Sequence, residues 1–214
     1  MFDYLKSALL MIDVQNDFCP DGALAVAHGD EVAAPLNSLS KKVADAGGKV
    51  IATADWHPHD HVSFAASHQG MKPGDVVDLP NVKGQILWTV HCVQGTSGAD
   101  FHPNLDLKPV HCIIRKGFRK NLDSYSAFFE NDRQTTTGLD AFLKGLGINT
   151  LFLGGLATDY CVFYSAIDAI HSGYKTIILT DAVRGVGYPE GSVEKALQSM
   201  QTAGAILLNS KELL

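Results

Sequence analysis

The sequence predicts an α/β protein: a mostly parallel six-stranded sheet with helices on both faces, in three layers. Six short apolar, β-branched-rich runs recur along the 214 residues, and stretches with helical periodicity lie between most of them. Glycines close the helical stretches just before the next run. Strands that alternate with helices call for crossover connections, and the sheet they build is parallel and covered on both sides.

Ala8–Val14 is the first strand, cut short as an apolar run by Asp13. Glu31–Ala46 follows as a helix with Val32, Pro35, Leu36, Leu39 and Val43 on one face, closed by Gly47 and Gly48. Lys49–Ala54 is the second strand. From about 58 to 109 the chain is irregular and rich in Gly, Pro and His, an insertion that predicts a binding or lid region. Val110–Arg115 resumes the sheet, and Gly145–Gly147 closes a helix before the strand Thr150–Leu153. Thr158–His171 carries Val162, Ala166, Ile167 and Ile170 at helical spacing and leads to the strand Thr176–Thr180. Glu190–Thr202, with Val193, Ala196, Leu197 and Met200, is the last helix, and Ala205–Leu208 the last strand. No repeat or Pro/Ser-rich linker interrupts the pattern, so residues 1–214 are expected to form one domain.

Composition narrows the function. Apolar residues make up 46% and charged residues 19%, which argues against disorder. Lys and Arg total 17 against 23 Asp and Glu, a net charge of −6 that speaks against a nucleic-acid partner. The densest basic stretch, Arg115 to Lys120, is too short to track a polyanion. No apolar run approaches the ~20 residues of a membrane helix, so no membrane association is expected. Cys19, Cys92, Cys112 and Cys161 show no disulfide spacing and, with no secretion signal in view, read as reduced thiols of a cytoplasmic protein.

Ligands of an open α/β sheet sit outside the carboxyl ends of its strands. Those ends carry Asp13, Asp55, Lys116, the loop before Cys161, and Asp181. Asp181 alone reads better as a turn-capping residue. Cys161 follows Gly154 and Gly155 and falls in the first turn of a helix that Thr158 or Asp159 can cap. Unpaired N–H groups there favour a thiolate and can hold an oxyanion. The alternative, a small buried apolar residue, stands level with the nucleophile for Cys161 taken alone and is the better reading for the other three cysteines. No His lies near 154–165, so Asp13 as proton acceptor and Lys116 as thiolate partner are the candidates for a triad with Cys161, although each alone could be half of a structural ion pair.

A second constellation is Asp55-Trp56-His57-Pro58-His59-Asp60-His61. Asp55 and His57 are two apart and point the same way in an extended chain, a donor pair suited to Zn²⁺, Mn²⁺ or Fe²⁺. The next ligand is open between His59 and His61, with Pro58 favouring His61; His68, His91, His102 and His111 are further candidates.

The motifs then resemble the nicotinamidase/pyrazinamidase branch of the isochorismatase-like cysteine hydrolases. Asp13-Val14-Gln15-Asn16-Asp17-Phe18-Cys19-Pro20 with Gly22, Ala23 and Leu24 is similar to the family's opening motif. Asp55-Trp56-His57-Pro58 with His61, Ser63, Phe64 and Ala65 resembles its metal motif, and Trp88 to His102 its second His segment. Arg115-Lys116-Gly117 and Asp123-Ser124-Tyr125-Ser126-Ala127-Phe128 resemble the lysine segment, and Gly154 to Val162 the nucleophile loop. The motifs run in order through almost the whole chain.

The resemblance implies an isochorismatase-like, Rossmann-type fold. It implies Cys161 as nucleophile, Asp13 as general base and acid, and Lys116 as their cationic partner. Backbone N–H groups of Ala157 and Cys161 would form the oxyanion hole beside a cis peptide at Leu156–Ala157. Asp55, His57 and His91 would ligate one divalent metal, zinc foremost with iron or manganese as alternatives, and His61 is a further, more variable ligand. Phe18, Leu24, Trp88 and Tyr125 would wall a pyridine pocket. His28 departs from the small residue usual before Gly29-Asp30. The implied reaction is nicotinamide hydrolysis to nicotinate and ammonia, a step of NAD salvage, with pyrazinamide as a second substrate. A related amidase for carbamoyl or ureido substrates is the alternative, and assembly as a homo-oligomer is left open.

Overall fold

The computed structural model describes residues 2–214. The six predicted runs become strands β1 (Ser7–Ile12), β2 (Lys49–Asp55), β5 (Cys112–Lys116), β6 (Thr150–Leu156), β7 (Lys175–Arg184) and β8 (Ile206–Leu208). They form one sheet in the order β5-β2-β1-β6-β7-β8. Every neighbouring pair is parallel. β1 is central and wholly buried. Its side chains alternate: Leu9 and Met11 enter one core, Ala8, Leu10 and Ile12 the other.

Helix α1 (Ala33–Asp45) covers the first face through Leu36, Leu39 and Val43. The opposite core takes Leu139 and Leu143 of α2 (Leu139–Gly145), Ala166 and Ala169 of α3 (Phe163–His171), and Met200 of α4 (Ser192–Ala203). None of these helices is long and apolar enough to cross a membrane.

Three local expectations need correction. The insertion is not wholly irregular: β3 (Val76–Leu79) and β4 (Val82–Ile86) form a separate antiparallel hairpin. β7 continues past Thr180 to Arg184, across a register shift against β6. Asp181 therefore lies inside a strand, where its carboxylate accepts hydrogen bonds from Ser210 N (2.7 Å) and Ser210 Oγ (2.6 Å) and anchors the C-terminal turn. Lastly, the helix expected from Thr158 begins as a π-helical turn, Thr158–Val162, and neither Thr158 nor Asp159 caps it. The Asp159 carboxylate instead reaches Val186 N, Gly187 N and Ser192 Oγ across the loop before α4.

Candidate active site

Four adjacent strands, β5, β2, β1 and β6, deliver the charged and nucleophilic side chains to one edge of the sheet. Asp55 and Lys116 are register partners at the ends of β2 and β5. Asp13 follows β1 with φ +49°, a left-handed turn that Asp tolerates better than most residues. The turn aims its carboxyl at β2, where Thr53 Oγ1 donates to Asp13 Oδ1 at 2.6 Å. Cys161 comes from the π turn after β6, next to a cis peptide between Leu156 and Ala157.

Lys116 joins them. Its Nζ, fully buried, lies 2.8 Å from Asp13 Oδ2, 2.5 Å from Asp55 Oδ1, 2.9 Å from Ser124 O and 3.4 Å from Cys161 Sγ. Burial opposes its charge, but the two carboxylates outweigh burial and hold the ammonium protonated. Asp13 Oδ2 is ion-paired yet lies outside hydrogen-bonding angles, so it retains capacity for a proton. Burial lifts the Asp13 carboxyl above the usual carboxylate range; Lys116 opposes this rise and Asp55 adds to it.

Burial works against the expected thiolate at Cys161. Burial pushes the thiol well above its ordinary value, with Lys116 opposing and Asp13 and Asp55 reinforcing. Lys116, 3.4 Å away, is the group that offsets this rise. Attack by Cys161 must therefore be coupled to loss of its proton.

The structure also brings together Asp55, His57 and His91, all buried and with ligand atoms within 4.8 Å of one another. His57 Nδ1 meets Gly117 O and His91 Nδ1 meets Thr89 O, both at 2.8 Å. Each ring is thus fixed by a backbone carbonyl and turns Nε2 toward Asp55 Oδ2, at 3.6 Å and 3.9 Å. This is the outer-shell arrangement that orients ligating imidazoles, and a carboxylate with two such nitrogens fits a divalent ion. Burial and the neighbouring His57 push His91 down to about 4, keeping its imidazole neutral and able to ligate.

His61 sits differently. It stacks on His57 with ring centroids 4.3 Å apart, and its nitrogens face Ser63 Oγ and Leu122 O. It shares a second grouping with His57 and Asp123, not the one with Asp55 and His91. His59 is exposed, and His68, His102 and His111 bond to backbone groups elsewhere. His28 lies on the surface 3.1 Å from Glu31 Oε1 and touches neither cluster.

Between the two clusters opens a cavity. Phe18, Leu24, Trp88 and Tyr125, the four expected wall residues, all line it, with Asp55, His91, Ala157 and Cys161 at its floor. Val26, Asp123, Tyr160 and Val186 line it too and were not foreseen. Gln15 is a further residue whose role the sequence hid. Buried, it donates from Nε2 to Asp55 O and Ala99 O and accepts from Asp55 N, each at 2.8 Å, and so fixes the end of β2.

The isochorismatase domain model matches residues 7–212. The chain is 45% identical over 207 residues to a nicotinamidase of Acinetobacter baylyi, covering 97% of this chain and 94% of that protein. It belongs to the isochorismatase family, on its nicotinamidase/pyrazinamidase branch. The solved nicotinamidase/pyrazinamidase of Acinetobacter baumanii superposes with a TM-score of 0.93 at 45% identity, covering 98% and 99% of the two chains. A pyrazinamidase of Pyrococcus horikoshii, solved in complex with zinc, superposes with a TM-score of 0.77 at 33% identity, covering 95% and 99%.

Proposed function

We propose that this protein is a nicotinamidase that hydrolyses nicotinamide to nicotinate and ammonia through a thioester on Cys161. One observation carries the reading: Cys161, Asp55 and His91 line the same aromatic-walled cavity, so a single flat heteroaromatic amide placed there meets both the thiol and the donor set. The chain acts as one hydrolase domain in the cytoplasm, where its free cysteines stay reduced. Its product is a precursor for NAD salvage.

In the first half-reaction Cys161 Sγ adds to the carboxamide carbon while its proton passes to Asp13 Oδ2. The raised affinity of Asp13 for a proton suits this task. Lys116 stays charged throughout and offsets the negative charge that gathers between Asp13 and the sulfur. The carbonyl oxygen, now anionic, is held by the N–H groups of Ala157 and Cys161. Collapse of the adduct expels ammonia, which takes the proton from Asp13 and leaves a nicotinoyl thioester. Water then adds to the thioester as Asp13 accepts its proton; collapse breaks the C–S bond, Asp13 returns the proton to the leaving sulfur, and the acid loses its remaining proton to solvent as nicotinate. Asp55, His57 and His91 would hold the divalent ion, zinc foremost, with His61 beside them. Bound there, the ion supplies Lewis acidity toward the substrate's ring nitrogen. Phe18, Leu24, Trp88 and Tyr125 clamp the ring faces and exclude water.

The test is ammonia release from a small amide panel. Nicotinamide and pyrazinamide should both turn over. Benzamide, which lacks the ring nitrogen, should fall in kcat/KM by roughly 10²–10³-fold. Turnover confined to carbamoyl or ureido compounds would overturn the reading.

A further inference from the structure

The β3–β4 hairpin has no part in the mechanism above, yet it sets one polar side chain behind residues that line the cavity. Among its strand residues only Leu79, Val82 and Gln85 are buried. Gln85 is 2% exposed and makes four polar contacts. Its Nε2, with two hydrogens, faces three acceptors, Ile86 O (2.8 Å), Asp123 Oδ2 (2.9 Å) and Tyr125 OH (3.2 Å), and its Oε1 accepts from Asn131 Nδ2 (3.1 Å). Asn131 in turn accepts from Tyr125 N through Oδ1 (3.0 Å).

Two of these partners, Asp123 and Tyr125, line the cavity, as does Trp88 three residues after Gln85. Trp88 Nε1 also donates to Tyr125 OH, at 3.0 Å. Trp88 and Gln85 thus both direct an N–H-bearing nitrogen at the Tyr125 hydroxyl. Gln85 itself does not line the cavity. It acts on the site through the residues that do.

We propose that Gln85 is a positioning residue for substrate recognition, locking Asp123 and Tyr125 against Trp88 so that the ring-binding wall is set before substrate enters. Pre-organisation of this kind is felt in binding, because an unlocked wall must be ordered by the substrate itself. It leaves Asp13, Lys116 and Cys161 alone. The proposal rests on the nicotinamidase reading.

The experiment is steady-state kinetics on nicotinamide for the metal-loaded wild type, Gln85→Leu, Gln85→Glu, Tyr125→Phe and the Gln85→Leu/Tyr125→Phe double variant, with unfolding midpoints for each. Gln85→Leu should raise KM on the order of 10-fold, the scale of one or two lost buried hydrogen bonds, and leave kcat within about threefold. Gln85→Glu keeps the size and polarity of the side chain, so the test does not hang on the folding of an apolar variant. It sets a carboxylate against Asp123 and should raise KM further. In the Tyr125→Phe background the Gln85→Leu effect on KM should shrink, since the contact to the Tyr125 hydroxyl is already gone and only those to Asp123 and Asn131 remain to be lost. An unchanged KM, equal losses in kcat and stability with KM intact, or full additivity with Tyr125→Phe would each overturn the proposal. A wild type inert toward nicotinamide overturns the functional reading and this proposal with it. An active wild type with an unaltered Gln85→Leu overturns the proposal alone.

Discussion

Lys116 shows how tightly the residue-scale chemistry is coupled. Its ammonium is fully buried and neutralises two carboxylates at once, Asp13 and Asp55. Removing one partner of a buried ion cluster leaves the others uncompensated, typically at a cost of about 3–5 kcal/mol. Lys116→Ala should therefore lower stability by that order, as chemical denaturation would read. It should also slow alkylation of Cys161 at neutral pH, because Lys116 is the group that pulls the thiol's proton affinity down. An unchanged alkylation rate would remove Lys116 as the sulfur's partner. Asp13→Asn keeps the shape and the Thr53 contact but cannot take the proton, and general-base loss of this kind costs ~10²–10⁴-fold in rate. Cys161→Ala should abolish ammonia release while folding and metal content persist. Cys19→Ala and Cys112→Ala should stay within about twofold of wild type.

At the scale of the element, two glycines hold the strand ends where the site needs them. Gly155 has φ +123°, and a Cβ there would stand 2.0 Å from Ile12 O on the neighbouring strand. Gly117 has φ +62°, and a Cβ would meet His57 Cε1 at 2.4 Å. Gly155→Ala should cost several kcal/mol of stability because the contact is with backbone that cannot move aside. Gly117→Ala should also lower metal content, since the added methyl would collide with the His57 ring that faces Asp55; mass-spectrometric metal analysis separates the two. The strand ends were legible in the sequence, because apolar runs closed by Asp, Lys or Gly-Gly mark them directly. The π turn at Cys161 was not. Its Thr158 and Asp159 look like caps, but the partners that draw Asp159 away, Val186, Gly187 and Ser192, lie about 30 residues on and meet it only in the folded chain. The β3–β4 hairpin was hidden for a related reason. It is short, mostly exposed and buries a glutamine where alternation would place an apolar residue, so it carries no strand periodicity.

Across the whole molecule the parallel sheet does the assembling, for it sets Asp13, Asp55 and Lys116 at adjacent strand ends and Cys161 one strand further. Local spacing could suggest the thiol and the Asp55–His57 pair, but only the motif resemblance picked His91 from four outlying histidines. The reason is physical: His91 reaches Asp55 from the insertion, a separation no helical or strand period encodes. Chelation of the loaded enzyme should remove most activity and leave the unfolding midpoint lowered, because the buried donors lose the cation that binds only the folded form. Restoring the ion should restore both, and a chelated enzyme with full activity would remove the metal from the chemistry. The most direct test of the thiol mechanism is intact-protein and peptide mass spectrometry on enzyme acid-quenched during turnover of nicotinamide. A nicotinoyl adduct confined to the Cys161 peptide, absent from Cys161→Ala, is the result it predicts; steady turnover by Cys161→Ala, with no adduct on either protein, would contradict it.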